Sequence, residues 1–427
     1  MMLTREFIRR SLYQQGAGYF NTTNCVYSPA NTIDFRGLIG KYDYTNELGR
    51  LYKERAEAWL TPSEIFQPFY SRAIGRYIMS KLEDNQGDLR IFEIGGGNGT
   101  NALHVLNFFQ ERSPRLYERV KYTMVEISGP MAERQQALLN NYHDGKFEVV
   151  NTDFRTWDRG VVEEDCFVIA LEVLDNLPHD KLARVKAGNE NKPWWLYKAD
   201  EKDKWFQTMV QESEDGRYVE KLEPLEDPLA IRTAENFLQD FPKLASKEPP
   251  KGISQRLSSW ARNSLIKGRE MDESSGSSKV YDCVFVPSGA QKFLDTLTCN
   301  FPNHKLIAAD FDTLPPPEIS TYELYRTRNE PGALIGCKNA PLVASKNEKG
   351  DTVDHYTYLV ELGLADIFFQ TDFSALKSVY NGMSQHQGDV VQSKDFLTEF
   401  GEYSYTATRS GYNPMLDDYY NTKFLLS

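Results

Sequence analysis

The feature that most constrains this chain is Glu93-Ile94-Gly95-Gly96-Gly97-Asn98-Gly99, set between the apolar strand Leu89–Ile94 and a helix carrying Leu103, Leu106 and Phe109 near one face. A strand that turns through glycines into a helix lets a ligand lie against bare backbone, since glycine tolerates positive φ. The free N–H groups at the start of that helix favour negative charge. In a dinucleotide site the charge is a pyrophosphate, and the glycines run Gly-x-Gly-x-x-Gly. Here the glycines alternate and an acid precedes the first by two positions. That spacing points to the methionine carboxylate of S-adenosylmethionine, with Glu93 bonding the ligand's amino group or its bridging water. The expected cofactor residues on this loop are Glu93, Gly95, Gly97 and Gly99.

Around the loop the chain alternates. Tyr122–Glu126 reads as a second strand, Met131–Leu139 as a helix, Phe147–Val150 as a third strand and Cys166–Ala170 as a fourth. Strands separated by helices predict a parallel sheet covered on both faces, a Rossmann-like α/β core. Residues 1–85 read as mainly helical, with Thr61 or Ser63 as an N-cap and Pro62 in a first turn. Residues 86–180 form the first half of the cofactor-binding core. The alternation breaks over 181–279, which is charged, interspersed with Pro, Ser and Trp, and ends in the linker-like Asp272–Lys279; this stretch is expected to be an inserted cap or substrate region. Residues 280–427 resume with Val284–Val286, a helix Ala290–Leu297 and Leu306–Asp310, and complete the core with further short strands and helices.

Ligands in open parallel sheets gather at the carboxyl ends of the strands. Glu126 ends the second strand, where a carboxylate accepts both ribose hydroxyls. Asp153 follows the third strand, where an acid reads the adenine amino group or caps the turn into Phe154–Trp157. The fourth strand runs into Leu171-Glu172-Val173-Leu174-Asp175-Asn176-Leu177-Pro178, which should face the reacting methyl group. Methyl transfer needs an in-line approach to the sulfonium carbon, so positioning dominates. If the acceptor is a guanidinium, carboxylates hold it in a fork and concentrate its lone pair on the attacking nitrogen. Glu172 and Asp175 are the expected catalytic residues; the blander reading makes Asp175 a helix N-cap and Glu172 a solvent-facing acid.

Composition narrows the class. Hydrophobic residues at 40% and charged residues at 26% are a globular profile in a 427-residue chain. No apolar run approaches the roughly 18–20 residues of a membrane span, so a soluble or peripheral protein is expected. The net charge of -12 argues against a general nucleic-acid binder. The 5 cysteines and 6 histidines are scattered without metal-site spacing, so neither a metal nor a disulfide framework is expected, and a reducing compartment is the simple reading. Met1–Phe20 carries Arg5, Arg9 and Arg10 with Glu6 as its one acid. It reads either as the stub of a mitochondrial presequence or as an ordinary first helix; the spacing of Phe7, Ile8, Leu12 and Tyr13, with a Gly16-Ala17-Gly18 stop, favours the helix.

Taken in order, these segments resemble the MidA-type mitochondrial methyltransferases, a family that includes the arginine methyltransferase assisting assembly of respiratory complex I. Phe7–Phe20, ending Gly18-Tyr19-Phe20, resembles the family's first helix. Thr61-Pro62-Ser63-Glu64-Ile65-Phe66 resembles its Thr-Ser-Pro-Glu-Ile-Ser, with Pro62 and Ser63 swapped. The glycine loop follows, then Val125-Glu126-Ile127-Ser128 with Gln135 beyond. The Glu172–Pro178 segment matches Glu-x-x-Asp-x-Leu-Pro, with Leu171 where the family carries Asn or His. Ala365–Phe373 resembles Asp-Ile-Thr-x-His-Val-Asp-Phe, with Gln370 for His and Thr371 for Val, and Gln392, Phe396, Leu397 and Gly401 match a last motif.

The resemblance implies a class I S-adenosylmethionine-dependent methyltransferase fold, with S-adenosylmethionine as cofactor. It implies methylation of an arginine in a mitochondrial protein, the matrix as location and a respiratory-complex subunit as the type of target. Two other readings stand beside it: a methyltransferase acting on RNA or a small molecule, with Trp194, Trp195, Trp260, Arg262 and Lys267 lining an RNA cleft, and a diverged assembly factor that keeps the fold without catalysis.

Overall fold

The computed structural model describes residues 1–22, 25–54, 58–82, 88–185, 204–241, 282–327, 330–347 and 350–427. The linker-like Asp272–Lys279 and the side chains of Trp194, Trp195, Trp260, Arg262 and Lys267 lie outside these residues.

The core is a seven-stranded sheet of β1 (Leu89–Ile94), β2 (Val120–Glu126), β3 (Phe147–Asn151), β4 (Cys166–Leu171), β5 (His304–Phe311), β6 (Asp389–Gln392) and β7 (Thr422–Leu426). Its spatial order is β6-β7-β5-β4-β1-β2-β3. The run β5-β4-β1-β2-β3 is parallel, and β7 lies antiparallel to both β5 and β6. This is the class I methyltransferase arrangement, a Rossmann-like sheet extended by an antiparallel strand.

The central strands β1, β4 and β5 carry long apolar runs because both their faces are buried. Successive side chains point to opposite faces. On one face Ile91, Phe167, Ile169, Ile307 and Ala309 share a core with two helices, α2 (Phe69–Ser80) and α3 (Thr100–Arg112). On the other, Phe92, Ile94, Val168, Ala170, Leu306 and Ala308 pack on α5 (Ser288–Asn300) and α6 (Phe373–Met383). Each helix presents one apolar stripe. In α2 it is Tyr70, Ala73, Ile74, Tyr77 and Ile78, all buried. Each large side chain there contributes about 1.5–3 kcal/mol by leaving water.

The remaining labelled helices, α1 (Thr4–Tyr13) and α4 (Gly129–Asn140), flank the site. Phe7, Ile8 and Leu12 of α1 are fully buried against a second sheet, in the helical reading of Met1–Phe20. In that sheet Met2–Leu3, Lys204–Glu212, Asp180–Val185, Asp282–Val286 and Cys337–Lys338 follow one another, with Tyr218–Pro224 paired on Lys204–Glu212. Arg5 fastens α1 to it, bonding Asp180 at 2.6 Å and Asp227 through both terminal nitrogens at 2.8 Å. Thus, among the described residues of the stretch where the sequence pattern breaks, Asp180–Val185, Lys204–Glu212 and Tyr218–Pro224 are strands.

One expectation is corrected here. Cys283 and Cys337 are joined by a disulfide, with Cα atoms 4.7 Å apart. They are register partners on neighbouring parallel strands, a juxtaposition hidden by their separation of 54 residues. Thr61 is the N-cap before Pro62–Ile65 and Pro62 takes the first turn, but the Thr61 side chain makes no capping hydrogen bond.

Candidate cofactor and acceptor site

A cleft opens at the carboxyl ends of β1, β2, β3 and β4, lined by the glycine loop, Glu126, Asp153, Leu171 and Glu172 among others. The loop is built as its composition demands. Gly95, Gly97 and Gly99 have φ of 64°, 54° and 89°, where a side chain would be strained. Gly99 is the N-cap of α3, so the helix start, with its unpaired N–H groups, closes the loop. A Cβ on Gly95 would come within 3.0 Å of Val173 Cγ2, which places the loop hard against the turn that follows β4.

Glu93 sits buried under the loop. Its Oε1 accepts from Asn101 Nδ2 at 2.9 Å and its Oε2 from the Tyr122 hydroxyl at 2.7 Å. Burial raises its carboxyl above the ordinary range. Glu64 supports the same loop from the Thr61–Phe66 segment, accepting from Asn98 Nδ2 at 3.1 Å and Thr100 Oγ1 at 2.8 Å. Glu126 is buried at the end of β2. It accepts the Ser128 amide at 2.8 Å and Gln135 Nε2 at 3.0 Å, and burial pushes it up to about 7. Gln135 also donates to the Gly97 carbonyl at 2.8 Å, so one amide ties the loop to that acid. Asp153 lines the cleft but gives both oxygens to Arg155, at 2.9 and 2.7 Å, while capping the turn at the Arg155 amide. Both readings of Asp153, cap and cleft wall, are therefore compatible with its position.

The fourth wall is acidic. Glu172 follows β4 in a left-handed conformation, φ 52°, held by its amide to the Ala309 carbonyl at 2.8 Å. It lines the cleft, and burial, then the nearby charge of Asp310, raises it to about 8. Asp175 is buried and does not line the cleft; its Oδ1 has no hydrogen-bond partner among the described residues. Burial first, and then Asp310, Asp366 and Glu172, raise it well above the carboxylate range. Asp310 and Asp366 are themselves pushed up to about 7 by burial. Four carboxyls from three separate stretches of chain thus meet beside the cleft. Among the described residues, no set of His, Cys, Asp and Glu is arranged to hold a metal.

Several cleft residues were not anticipated. Tyr13 and Phe20 stack at 5.4 Å and line it, with the Arg155 guanidinium 6.0 Å above the Tyr13 ring. The Tyr13 hydroxyl donates to the Asn176 carbonyl at 3.1 Å, and Ser128 Oγ donates to the Phe20 carbonyl at 2.7 Å. Asn176 in turn donates to Asp366 Oδ1 at 2.8 Å. Phe20, Glu64 and Asp366 all lie in segments that carry the family resemblance, which was the available signal.

The donor set fits S-adenosylmethionine: a glycine cradle at a helix start for the carboxylate, and the strand-end acid Glu126 for the ribose hydroxyls. Comparison with known proteins agrees. A crystal structure from Burkholderia thailandensis, of a protein bound to S-adenosyl-homocysteine, superposes with a TM-score of 0.53 at 16% identity, covering 100% of this chain and 87% of that one. A native crystal structure of a superfamily protein from the same organism gives a TM-score of 0.51, again at 16% identity and with the same coverage, 100% and 87%. At these identities the likeness concerns the fold. In sequence, the "Protein arginine methyltransferase NDUFAF7 homolog, mitochondrial" of Schizosaccharomyces pombe (strain 972 / ATCC 24843) is 23% identical over 228 residues, 52% of this chain and 43% of the relative, so the match spans less than half of that protein. The sequence model of the family described as "Putative S-adenosyl-L-methionine-dependent methyltransferase" matches residues 73–389, from the middle of α2 to the first residue of β6, and the chain belongs to that family.

Proposed function

We propose that this methyltransferase acts on the guanidinium of an arginine in a protein, in the manner of the mitochondrial relative. The observation that carries the reading is Glu172 in the cleft wall, backed by Asp175, Asp310 and Asp366. A guanidinium stays cationic and offers five N–H donors in a planar fork, which suits a group of carboxyls that form no ion pair among the described residues. When bound, S-adenosylmethionine supplies an electrophilic methyl group on a sulfonium sulfur. Glu93, Gly95, Gly97 and Gly99 would hold its methionine end, Glu126 its ribose and Asp153 its adenine side. Glu172 would accept N–H bonds from the guanidinium and turn one nitrogen toward the methyl group. A bound guanidinium would favour the ionised form of these buried acids, and Asp175, once ionised behind that contact, would accept the proton that the methylated nitrogen must lose. A mitochondrial location, the matrix, and a respiratory-complex subunit as target complete the proposal, on the strength of the same relative.

Leu171, an apolar residue in the cleft wall, favours a second reading in which the fold serves assembly without catalysis. The test is mass spectrometry of methylated peptides from cells with and without the protein, complemented by wild type, Glu172→Gln and Asp175→Asn. An arginine methyl mark that disappears with the protein and returns only with wild type supports the enzyme. Full restoration by both variants would sink the site assignment. Calorimetric titration with S-adenosylmethionine separates the second reading, since an enzyme must bind it.

A further inference from the structure

The neighbouring strand reaches into the acidic turn. Asp310, fully buried on β5, accepts the amide N–H groups of Leu174 at 2.8 Å and Asp175 at 3.0 Å through Oδ2. Its Oδ1 accepts the Phe311 amide at 2.7 Å. The turn that carries Glu172 and Asp175 is thus held from a strand more than 130 positions along the chain, with both amides on one oxygen. It needs such an anchor. Glu172 stands in a left-handed conformation that a residue with a side chain adopts at a cost of about 1 kcal/mol. Among the described residues Asp310 forms no ion pair: its antiparallel partner Lys423, on β7, sends its ammonium to Asp312 at 2.6 Å. The ionisable groups whose charges act with it are Glu172 and Asp175 on the turn and Tyr70 on α2, with Asp366 acting on Asp175 from the far side. Meanwhile Asp175 Oδ1 is left without a partner, although only 6% of the residue is exposed.

We propose that Asp310 is a positioning residue for the acceptor: its carboxylate fixes the Leu174 and Asp175 amides, so setting where Glu172 and the open oxygen of Asp175 stand, and its charge makes the guest of that wall a cation. It touches neither cofactor nor acceptor, and it acts through the turn. A neutral residue of the same shape fails in two ways. An amide has one acceptor oxygen, so whichever way it turns at position 310 its –NH₂ faces either the Leu174 and Asp175 N–H groups or that of Phe311. It also removes negative charge from a buried wall where a cation gains most from it. This inference rests on the reading that Glu172 and Asp175 receive the acceptor.

The test uses the full chain, saturated with S-adenosylhomocysteine, as wild type and Asp310→Asn. Amide resonances of Leu174 and Asp175 are followed against pH, and methylguanidinium serves as the cationic probe in calorimetry. In wild type both amides should titrate together, with a midpoint of about 7. Methylguanidinium should lower that midpoint. In Asp310→Asn the joint titration should vanish and methylguanidinium should bind about tenfold more weakly, while S-adenosylhomocysteine binds within about twofold of wild type. Amides that titrate in the ordinary carboxylate range, or a variant that binds methylguanidinium as wild type does, would overturn the inference. Should the variant not fold, the wild-type titration decides alone. If these results hold while Glu172→Gln restores arginine methylation, the proposed function fails and the anchoring role of Asp310 stands. If Glu172→Gln abolishes methylation but Asp310→Asn changes neither titration nor probe binding, the reverse is true.

Discussion

Glu172→Gln should make the unliganded protein more stable at alkaline pH while removing its activity. Burial raises the Glu172 carboxyl from 4.5 to about 8. At about 1.4 kcal/mol per pH unit, that difference sets a ceiling of about 5 kcal/mol on the cost of its charge in the folded chain. Glu172 lines an open cleft, and water there relieves part of the cost, so about 1–3 kcal/mol is expected. A carboxyl raised on folding costs nothing below its unfolded value of about 4.5, where it is protonated in both states. The cost then grows with pH and is complete above about 8. Glutamine bears no charge at any pH. Thermal unfolding followed by circular dichroism at pH 4 should therefore give equal melting temperatures, and at pH 8.5 the variant should melt a few degrees higher. Methyl transfer should fall by about 100-fold or more, the range seen when a general acid–base or orienting group is lost. A variant less stable than wild type by the same margin at both pH values would refute the argument, because an uncharged packing defect does not depend on pH.

Three further outcomes are expected. Gly289→Ala would bring a Cβ within 2.8 Å of the Pro178 backbone at the start of α5, so it should lose about 1–3 kcal/mol in urea unfolding; an unchanged midpoint would mean the two segments are not in contact. In the proposed ribose role Glu126 binds best when ionised, and it is held at about 7, so S-adenosylmethionine affinity by calorimetry should weaken up to about tenfold per pH unit below that point. Glu126→Gln should bind about tenfold more weakly at pH 8 with little pH dependence, and a flat wild-type profile would count against a ribose role. Arg5→Ala strands the buried Asp180 without its cation and should cost about 3 kcal/mol, largely recovered in the double variant with Asp180→Asn; no recovery would locate the loss elsewhere.

What was legible follows from how local each signal is. β1, β2 and β4 stood out because strands largely buried on both faces carry apolar runs; β3, an edge strand with only Val150 buried, is legible from its Phe-x-Val-Val pattern, and the ends of all four needed only a residue or two of adjustment. The glycine loop announced itself because three alternating positions take positive φ. The second sheet did not, since Lys204–Glu212 and Tyr218–Pro224 are half-exposed, charged strands whose partners include Met2–Leu3 and Asp180–Val185. The Cys283–Cys337 link and the approach of Asp310 to Asp175 are likewise products of register between distant strands. Of the proposed site residues, Glu93, Gly95, Gly97, Glu126, Asp153 and Glu172 converge on one cleft, Gly99 caps the adjoining helix, and Asp175 lies among buried acids. Tyr13 and Phe20 lie in the Phe7–Phe20 segment that carries the resemblance, but no local pattern there says which cleft its end will reach.

The position of β7 has a bearing on how the chain is made. Residues 422–426 are the strand that separates β5 from β6, pairing with both. During synthesis the five parallel strands can assemble first, leaving the far edge of β5 open with a row of unpaired N–H and C=O groups. Until residues 422–426 have left the ribosome, that edge is a template for another nascent copy or a holding site for a chaperone. Ribosome-stalled chains arrested shortly before this strand emerges should therefore associate with one another or with holdases, and release once it is in place.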